Sequence, residues 1–214
     1  MISMETIKIG ILIFDDLTAL DAVGPYEVLS KMPGTQISFL SIVKGPVVTT
    51  GGLKLVAEYS IDEITDYDII IIPGGSGILK LTANQQVLGW LNQIHLKTRY
   101  TVSVCTGALL LGAAGLLKGV KATTHWQYFE NLSKYGAVPV KERYVIDGKI
   151  ITSAGVSAGI DMSLKLAEII NNPTVAQVIQ LAIEYDPDPP YDSGSPERAT
   201  DAVLGILKSK YQEQ

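Results

Sequence analysis

Three well-separated apolar runs constrain this chain more than any other feature. They are Ile7–Phe14 (IKIGILIF), the four isoleucines Ile69–Ile72, and Tyr100–Val104 (YTVSV). The first is nearly continuous, the second unbroken, and the third a short β-type run; all three are rich in β-branched residues. Strands of that kind are buried on both faces, so they belong inside a parallel sheet covered by helices. The segments between them read as helices. AVGPYEVLSKM follows Asp21 and tolerates its early Pro25. Asn84–Lys97 places Val87, Leu88, Leu91 and Ile94 on one face. Strands alternating with helices build βαβ units. The expected class is α/β, a mostly parallel central sheet with helices on both faces.

The rest of the chain fits that frame. Gln36–Val43 and Lys121–Thr124 read as strands, and Val47–Val56 as a small hairpin about Gly51-Gly52. Gln127–Tyr135 reads as a helix. Val138–Glu142 and Tyr144–Ser153 are strand-like, the second turning at Asp147-Gly148. The small-residue loop Ala154–Gly159 leads into a helix over Ile160–Ile170, and Pro173 opens another over Thr174–Glu184. Asp186–Pro196 (DPDPPYDSGSP) suits an extended arm, and Glu197–Tyr211 a last helix with Ala199, Ala202, Val203, Ile206 and Leu207 in a stripe. At 214 residues the expectation is one domain, 1–214, with the arm (186–196) and the last helix (197–211) appended.

Charge and composition exclude several function classes. The net charge is −5 with no basic stripe, which argues against nucleic acid as a ligand. A single cysteine, Cys105, rules out an internal disulfide and a cysteine-built zinc site. The two histidines, His95 and His125, are far apart, so no metal is expected. The longest apolar run, Ala108–Leu117, is short and glycine-broken, so no membrane span is expected. The opening MISMETIKIG has no charged segment leading into a long apolar one, which points to a cytoplasmic chain.

Ligands of open parallel sheets bind beyond the carboxyl ends of the strands. Three features fall there: the turn after the first strand with Asp21, the turn Pro73-Gly74-Gly75-Ser76-Gly77, and Cys105. The glycine turn lacks the GxxxxGK[ST] spacing of a phosphate loop, so nucleotide binding is not expected. Its glycines instead let backbone N–H groups approach a small reacting centre. Cys105 stands between a buried strand and the Ala/Leu-rich segment Ala108–Leu117, the placement of a nucleophile elbow. First-turn N–H groups and the helix dipole there predict an accessible thiol with a lowered pKa. The alternative is a small buried core cysteine.

A nucleophilic thiol needs a proton-handling partner. The residue after Cys105 is Thr106, not His. His95 reads as a surface residue on a charged helix end, and His125 as a structural hydrogen-bonder that follows a strand. Asp21 is the better partner, because a carboxyl beside a thiol has a raised pKa and becomes a usable general acid. The alternative for Asp21 is an N-cap, which an Asp before a helix commonly provides. Asp15 and Asp16 read as turn residues and Asp161 as a cap.

The elbow VCTGALLLGAAGLL, the turn IIIPGGSG, ATTHWQY and SAGVSAGIDMSL resemble the ThiJ/PfpI superfamily, a branch of the class I glutamine-amidotransferase-like fold. The resemblance runs from about Ile7 to Pro196. With LDAVGPYEVL and EYDPDPPYDSGSP added, it looks most like the isonitrile (isocyanide) hydratases of that superfamily. It implies a flavodoxin-like sandwich, a nucleophile at Cys105 and an essential acid at Asp21. It also implies a homodimer that needs no metal and no organic cofactor. The implied reaction adds water to a small apolar isonitrile to give an N-substituted formamide. Gly75 and Thr106 would then meet polar intermediates, and Val156 would help wall an apolar pocket. Thr after Cys105 departs from the superfamily's proteases and speaks against peptidase activity. Three alternatives stay open: action on an α-dicarbonyl or amide, a ligand-sensing module like those of AraC-type regulators, and a stress protein with an oxidisable cysteine.

Overall fold

A computed structural model describes residues 6–63 and 66–212. In chain order, β1 (Ile7–Leu12) leads to α1 (Ala19–Ser30), β2 (Thr35–Ser41), β3 (Gly45–Val48), β4 (Lys54–Ala57), β5 (Tyr59–Ser60) and β6 (Ile69–Ile72). Next come α2 (Ile78–Leu81), α3 (Gln85–Lys97), β7 (Tyr100–Ser103), α4 (Gly107–Ala113) and β8 (Lys121–Ala122). The chain continues through α5 (Asn131–Lys134), β9 (Val138–Pro139), β10 (Tyr144–Asp147), β11 (Ile150–Ser153), α6 (Ala158–Ile170), α7 (Pro173–Ala182) and α8 (Asp201–Gln212).

The main sheet has the order β10-β11-β7-β6-β1-β2-β5. All its pairings are parallel except that of β10 with β11, a hairpin at one edge. The isoleucines of β6 are buried throughout, as the continuous apolar run requires. The hairpin over 47–56 forms as β3 and β4, antiparallel and outside the main sheet.

Handedness divides the helices between two faces. From β1 the chain steps one way to β2; from β6 it steps the other way, to β7 and then β11. Right-handed crossovers put α1 on one face and α2 to α4 on the other. Contacts agree: α1 packs on α6 and α6 on α7, while α4 packs against α2, α3 and α5. The point where the direction reverses lies between β1 and β6. The carboxyl ends of strands open a crevice there.

Some expected elements come out differently. The strand expected at Lys121–Thr124 is only the two residues of β8, paired with β9 off the main sheet. The helix expected over 127–135 is a 3₁₀ turn (Trp126–Tyr128) and the short α5, which stops at Lys134, two residues before Gly136 with φ at 74°. The last helix starts at Asp201, not Glu197, because Thr200 Oγ1 accepts from Val203 N–H (3.4 Å) and so caps it there. Residues from Glu184 onward make a unit separate from residues up to Ile183.

Gly107 shows how tightly α4 meets the sheet. A Cβ added there would lie 2.0 Å from Ile72 O and 2.9 Å from Pro73 O, both rigid backbone. Gly107→Ala is therefore expected to cost about 3 kcal/mol or more. For a chain of this size that lowers Tm by on the order of 10 °C, readable by calorimetry.

Candidate active site

The crevice is built by two loops locked together. After β1, Leu17 bridges Gly75, and Thr18 N–H donates to Gly74 O at 2.9 Å. Asp21 lies in the first turn of α1, not before it. The N-cap position belongs to Thr18, whose side chain makes no capping bond. Asp21 is fully buried, and its Oδ2 accepts from Gly74 N–H at 2.9 Å. The capping alternative for Asp21 is thereby removed: the carboxyl reaches across to the β6 turn.

That turn needs its glycines. A Cβ on Gly74 would lie 2.5 Å from both N and Oγ1 of Thr106 and 3.0 Å from Asp21 Oδ2. Gly75 has φ at 135°, and its Cβ would meet Asp16 O at 2.4 Å. Gly75 N–H donates to Thr106 Oγ1 at 2.9 Å, and the Thr106 hydroxyl faces back toward Gly75 O at 3.4 Å. The Gly75 N–H is thus engaged by Thr106.

Cys105 stands at the strand-to-helix junction with φ at 55°, a left-handed conformation that costs a residue with a side chain about 1–2 kcal/mol. Its peptide groups are gripped on both sides. Its N–H donates to Ala154 O at 3.0 Å, and its carbonyl accepts from Thr124 Oγ1 at 2.7 Å. Ala154 in turn donates its N–H to Arg143 O at 3.0 Å. Val156 is half-buried against the core in the same loop, between β11 and α6.

The electrostatics of the pair differ from the expectation of an accessible, lowered-pKa thiol. Cys105 is 5% exposed, and its thiol is pushed up, first by burial and next by the Asp21 carboxylate. Hydrogen bonds to the sulfur from the Thr106 N–H and, less, from the Thr106 hydroxyl pull the other way without prevailing. Helix α4 has only seven residues, so its dipole offers little against desolvation. Asp21 is raised from 3.8 to about 7, mainly by burial, against the lowering effects of Gly74 N–H and the Cys105 thiol. The Asp21 Oδ1 atom is buried and meets no N–H or O–H donor among the described residues. Thiol and carboxyl titrate as one unit. Near neutral pH that unit passes from two protons to one.

The other candidates lie outside this pair. Asp15 Oδ1 accepts from Val48 N–H at 2.8 Å and ties down the β3–β4 hairpin. Asp16 sits at φ 63° in the turn and pairs with Lys80 at 3.2 Å. Asp161 pairs with Arg143 at 2.5 Å, and Arg143 also reaches Ser157 Oγ at 3.0 Å. His125 accepts from Gln127 N–H at 3.4 Å, a structural bond as expected. His95 is not the surface residue expected: it is half-buried, with Nδ1 2.8 Å from Thr101 Oγ1, because the end of α3 folds onto the start of β7. Thr124 was not singled out by sequence reasoning. Its contact with Cys105 spans 19 residues and leaves no local signature. Among the described residues no three His, Cys, Asp or Glu side chains gather as a metal site, and no helix is long and apolar enough to cross a membrane.

Comparison with known proteins places this geometry. The chain is 43% identical over 204 residues to isonitrile hydratase from Pseudomonas putida, covering 95% of this chain and 90% of that protein. It is 28% identical over 167 residues to the HTH-type transcriptional regulator CdhR of Pseudomonas aeruginosa, 76% of this chain but 49% of the regulator. The crystal structure of a ThiJ/PfpI family protein from Pseudomonas syringae superposes with a TM-score of 0.95 at 35% identity, over 98% of this chain and 88% of that one. The DJ-1/PfpI family profile matches residues 7–169, so the chain belongs to the DJ-1/PfpI family.

Proposed function

We propose that this protein is an isonitrile hydratase, with Cys105 as nucleophile and Asp21 as the group that moves the proton. The observation that carries the reading is the buried Asp21–Cys105 unit, in a chain 43% identical to an isonitrile hydratase over 90% of that enzyme. An isonitrile R–N≡C is uncharged, and its terminal carbon becomes electrophilic as it gains a proton. In the proposed cycle the thiol proton passes to Asp21. The thiolate then forms the C–S bond while Asp21 returns that proton to the same carbon, giving the thioimidate R–N=CH–S. Water adds to that carbon, the C–S bond breaks, R–NH–CHO leaves, and the thiol regains its proton. No metal or organic cofactor enters these steps.

The hydrogen bonding supports the assignment of the carboxyl oxygens. Gly74 N–H occupies Oδ2, so the proton of the acid form resides on Oδ1. Thr106 Oγ1 is fixed by Gly75 N–H, with its hydroxyl shared between the Cys105 sulfur and the Gly75 carbonyl at a long 3.4 Å. In the proposal that hydroxyl turns to the nitrogen of the intermediate, Gly75 holds it in place, and Val156 lies at the apolar side of the substrate. Incubation of pure protein with a simple alkyl isonitrile is expected to yield the formamide. Absence of formamide across several isonitriles sinks the reading, and turnover of an α-dicarbonyl instead selects the rival enzyme.

We also propose a homodimer in solution. The outward side of the β3–β4 hairpin leaves Val48 (41%) and Val56 (59%) exposed, with Val43 (73%) beside it. Light scattering is expected to give twice the chain mass of 23.0 kDa at micromolar concentration; a monomer mass rejects it.

A further inference from the structure

We propose that Thr124 is a positioning residue of the Cys105 site: its hydroxyl sets the plane of the Cys105–Thr106 peptide so that the Thr106 N–H faces the thiol sulfur. The proposal rests on the functional reading above only for its turnover arm. The geometry itself is independent of any substrate.

The peptide joining Cys105 to Thr106 is planar and trans, so its C=O and N–H point in opposite directions. Whatever holds the carbonyl therefore aims the N–H. Thr124 Oγ1 donates to that carbonyl at 2.7 Å, and Thr124 is 2% exposed, so water does not compete for the bond. At the other end of the same peptide, the Thr106 N–H donates to the Cys105 sulfur and favours the thiolate. Close to that nitrogen is Gly74, whose missing side chain leaves room that a Cβ would fill at 2.5 Å.

Thr124 is itself fixed from the sheet. The preceding residue, Thr123, donates its N–H to Thr152 Oγ1 at 2.9 Å, and Thr152 lies on β11. Cys105 N–H is held by Ala154 O, one residue beyond the same strand. The nucleophile's backbone is thus referenced on both sides to β11, which over-determines its left-handed φ of 55°. Without the Thr124 bond the peptide is free to tilt, and the sulfur loses the one backbone donor that favours its reactive form.

The test compares Thr124→Val, which keeps the shape and removes the donor, with Thr124→Ser, which keeps the donor. Thr124→Ala serves in place of Val where Val does not fold. Iodoacetamide alkylation against pH is read on the folded protein, alongside kcat, KM and Tm. The expected result for Val is about tenfold slower alkylation at pH 8, the effect of a one-unit rise in thiol pKa. The midpoint moves up, kcat falls by a similar factor, and KM stays within twofold. Ser is expected to match wild type within twofold in every readout. Equal or faster alkylation in Val overturns the proposal, and so does an equal loss in Val and Ser. A wild type that forms no formamide while Val still alkylates slowly removes the hydratase reading and leaves the role of Thr124 standing.

Discussion

Cys105→Ala is expected to abolish formamide formation, by at least on the order of ten-thousandfold, while the protein stays folded. Alanine keeps the Cβ, so the left-handed φ of 55° costs the variant what it costs the parent. What disappears is the sulfur, 5% exposed at the head of α4. Loss of one buried atom of that size costs about 1 kcal/mol. For a chain of this length the shift in Tm is on the order of 2–4 °C. The chemistry has no substitute. Asp21 retains its proton-handling group, but without a nucleophile no C–S bond forms and water must attack an unactivated isonitrile. Removing the thiol also removes one of the two hydrogen bonds that hold the Asp21 pKa down, so the carboxyl of the variant should titrate above about 7. Formamide formation within a hundredfold of wild type would show that the thiol is not the nucleophile.

The strands were legible because burial on both faces leaves a mark in composition: no polar residue interrupts Ile69–Ile72, and the sheet leaves none of the four exposed. The short elements were not. A two-residue strand such as β8 has no period to read, and its partner Val138–Pro139 is 17 residues away. The region after His125 carries helix-forming residues. A side chain capping Gln127 N–H and Gly136 at positive φ cut it into a 3₁₀ turn and one helical turn. Helix α8 starts late for a similarly local reason, the hydroxyl of Thr200.

At the site, the position of Cys105 between strand and helix was readable, but its environment was not. A helix N-terminus argues for a lowered thiol pKa, whereas burial and a facing carboxylate argue for a raised one. Only the folded chain shows that the second pair of effects is larger. Asp21 presents the same difficulty. An aspartate at the start of a helix caps it unless something better is near, and the better partner, Gly74 N–H, is 53 residues on. Convergence of loops at the β1–β6 reversal supplies it.

Asp21→Asn is the second large effect expected, and it separates a proton carrier from a structural carboxyl. The amide oxygen can accept from Gly74 N–H as Oδ2 does, so the loop contact at 2.9 Å survives. The amide cannot take the thiol proton or return it to carbon, so turnover should fall by on the order of a hundredfold or more. The pH profile gives a second reading. The proposed cycle needs one proton on the pair, so wild-type kcat/KM should rise as pH passes through about 7 and then level off. That step is expected to vanish in the variant. Iodoacetamide should react with Cys105 of the variant at lower pH than in wild type, because the second-largest effect raising the thiol pKa is gone. Stability carries the sign the other way. The folded chain holds the Asp21 proton up to about pH 7, against an ordinary 3.8. Its contribution is therefore fully present below pH 4 and is lost as pH rises toward 7. At roughly 1.4 kcal/mol per unit, that loss is about 4 kcal/mol. Asparagine has no proton to lose, so urea melts from pH 4 to 8 should show the variant gaining on wild type by up to that amount. An Asn variant with full turnover and the step near pH 7 intact would take Asp21 out of the reaction.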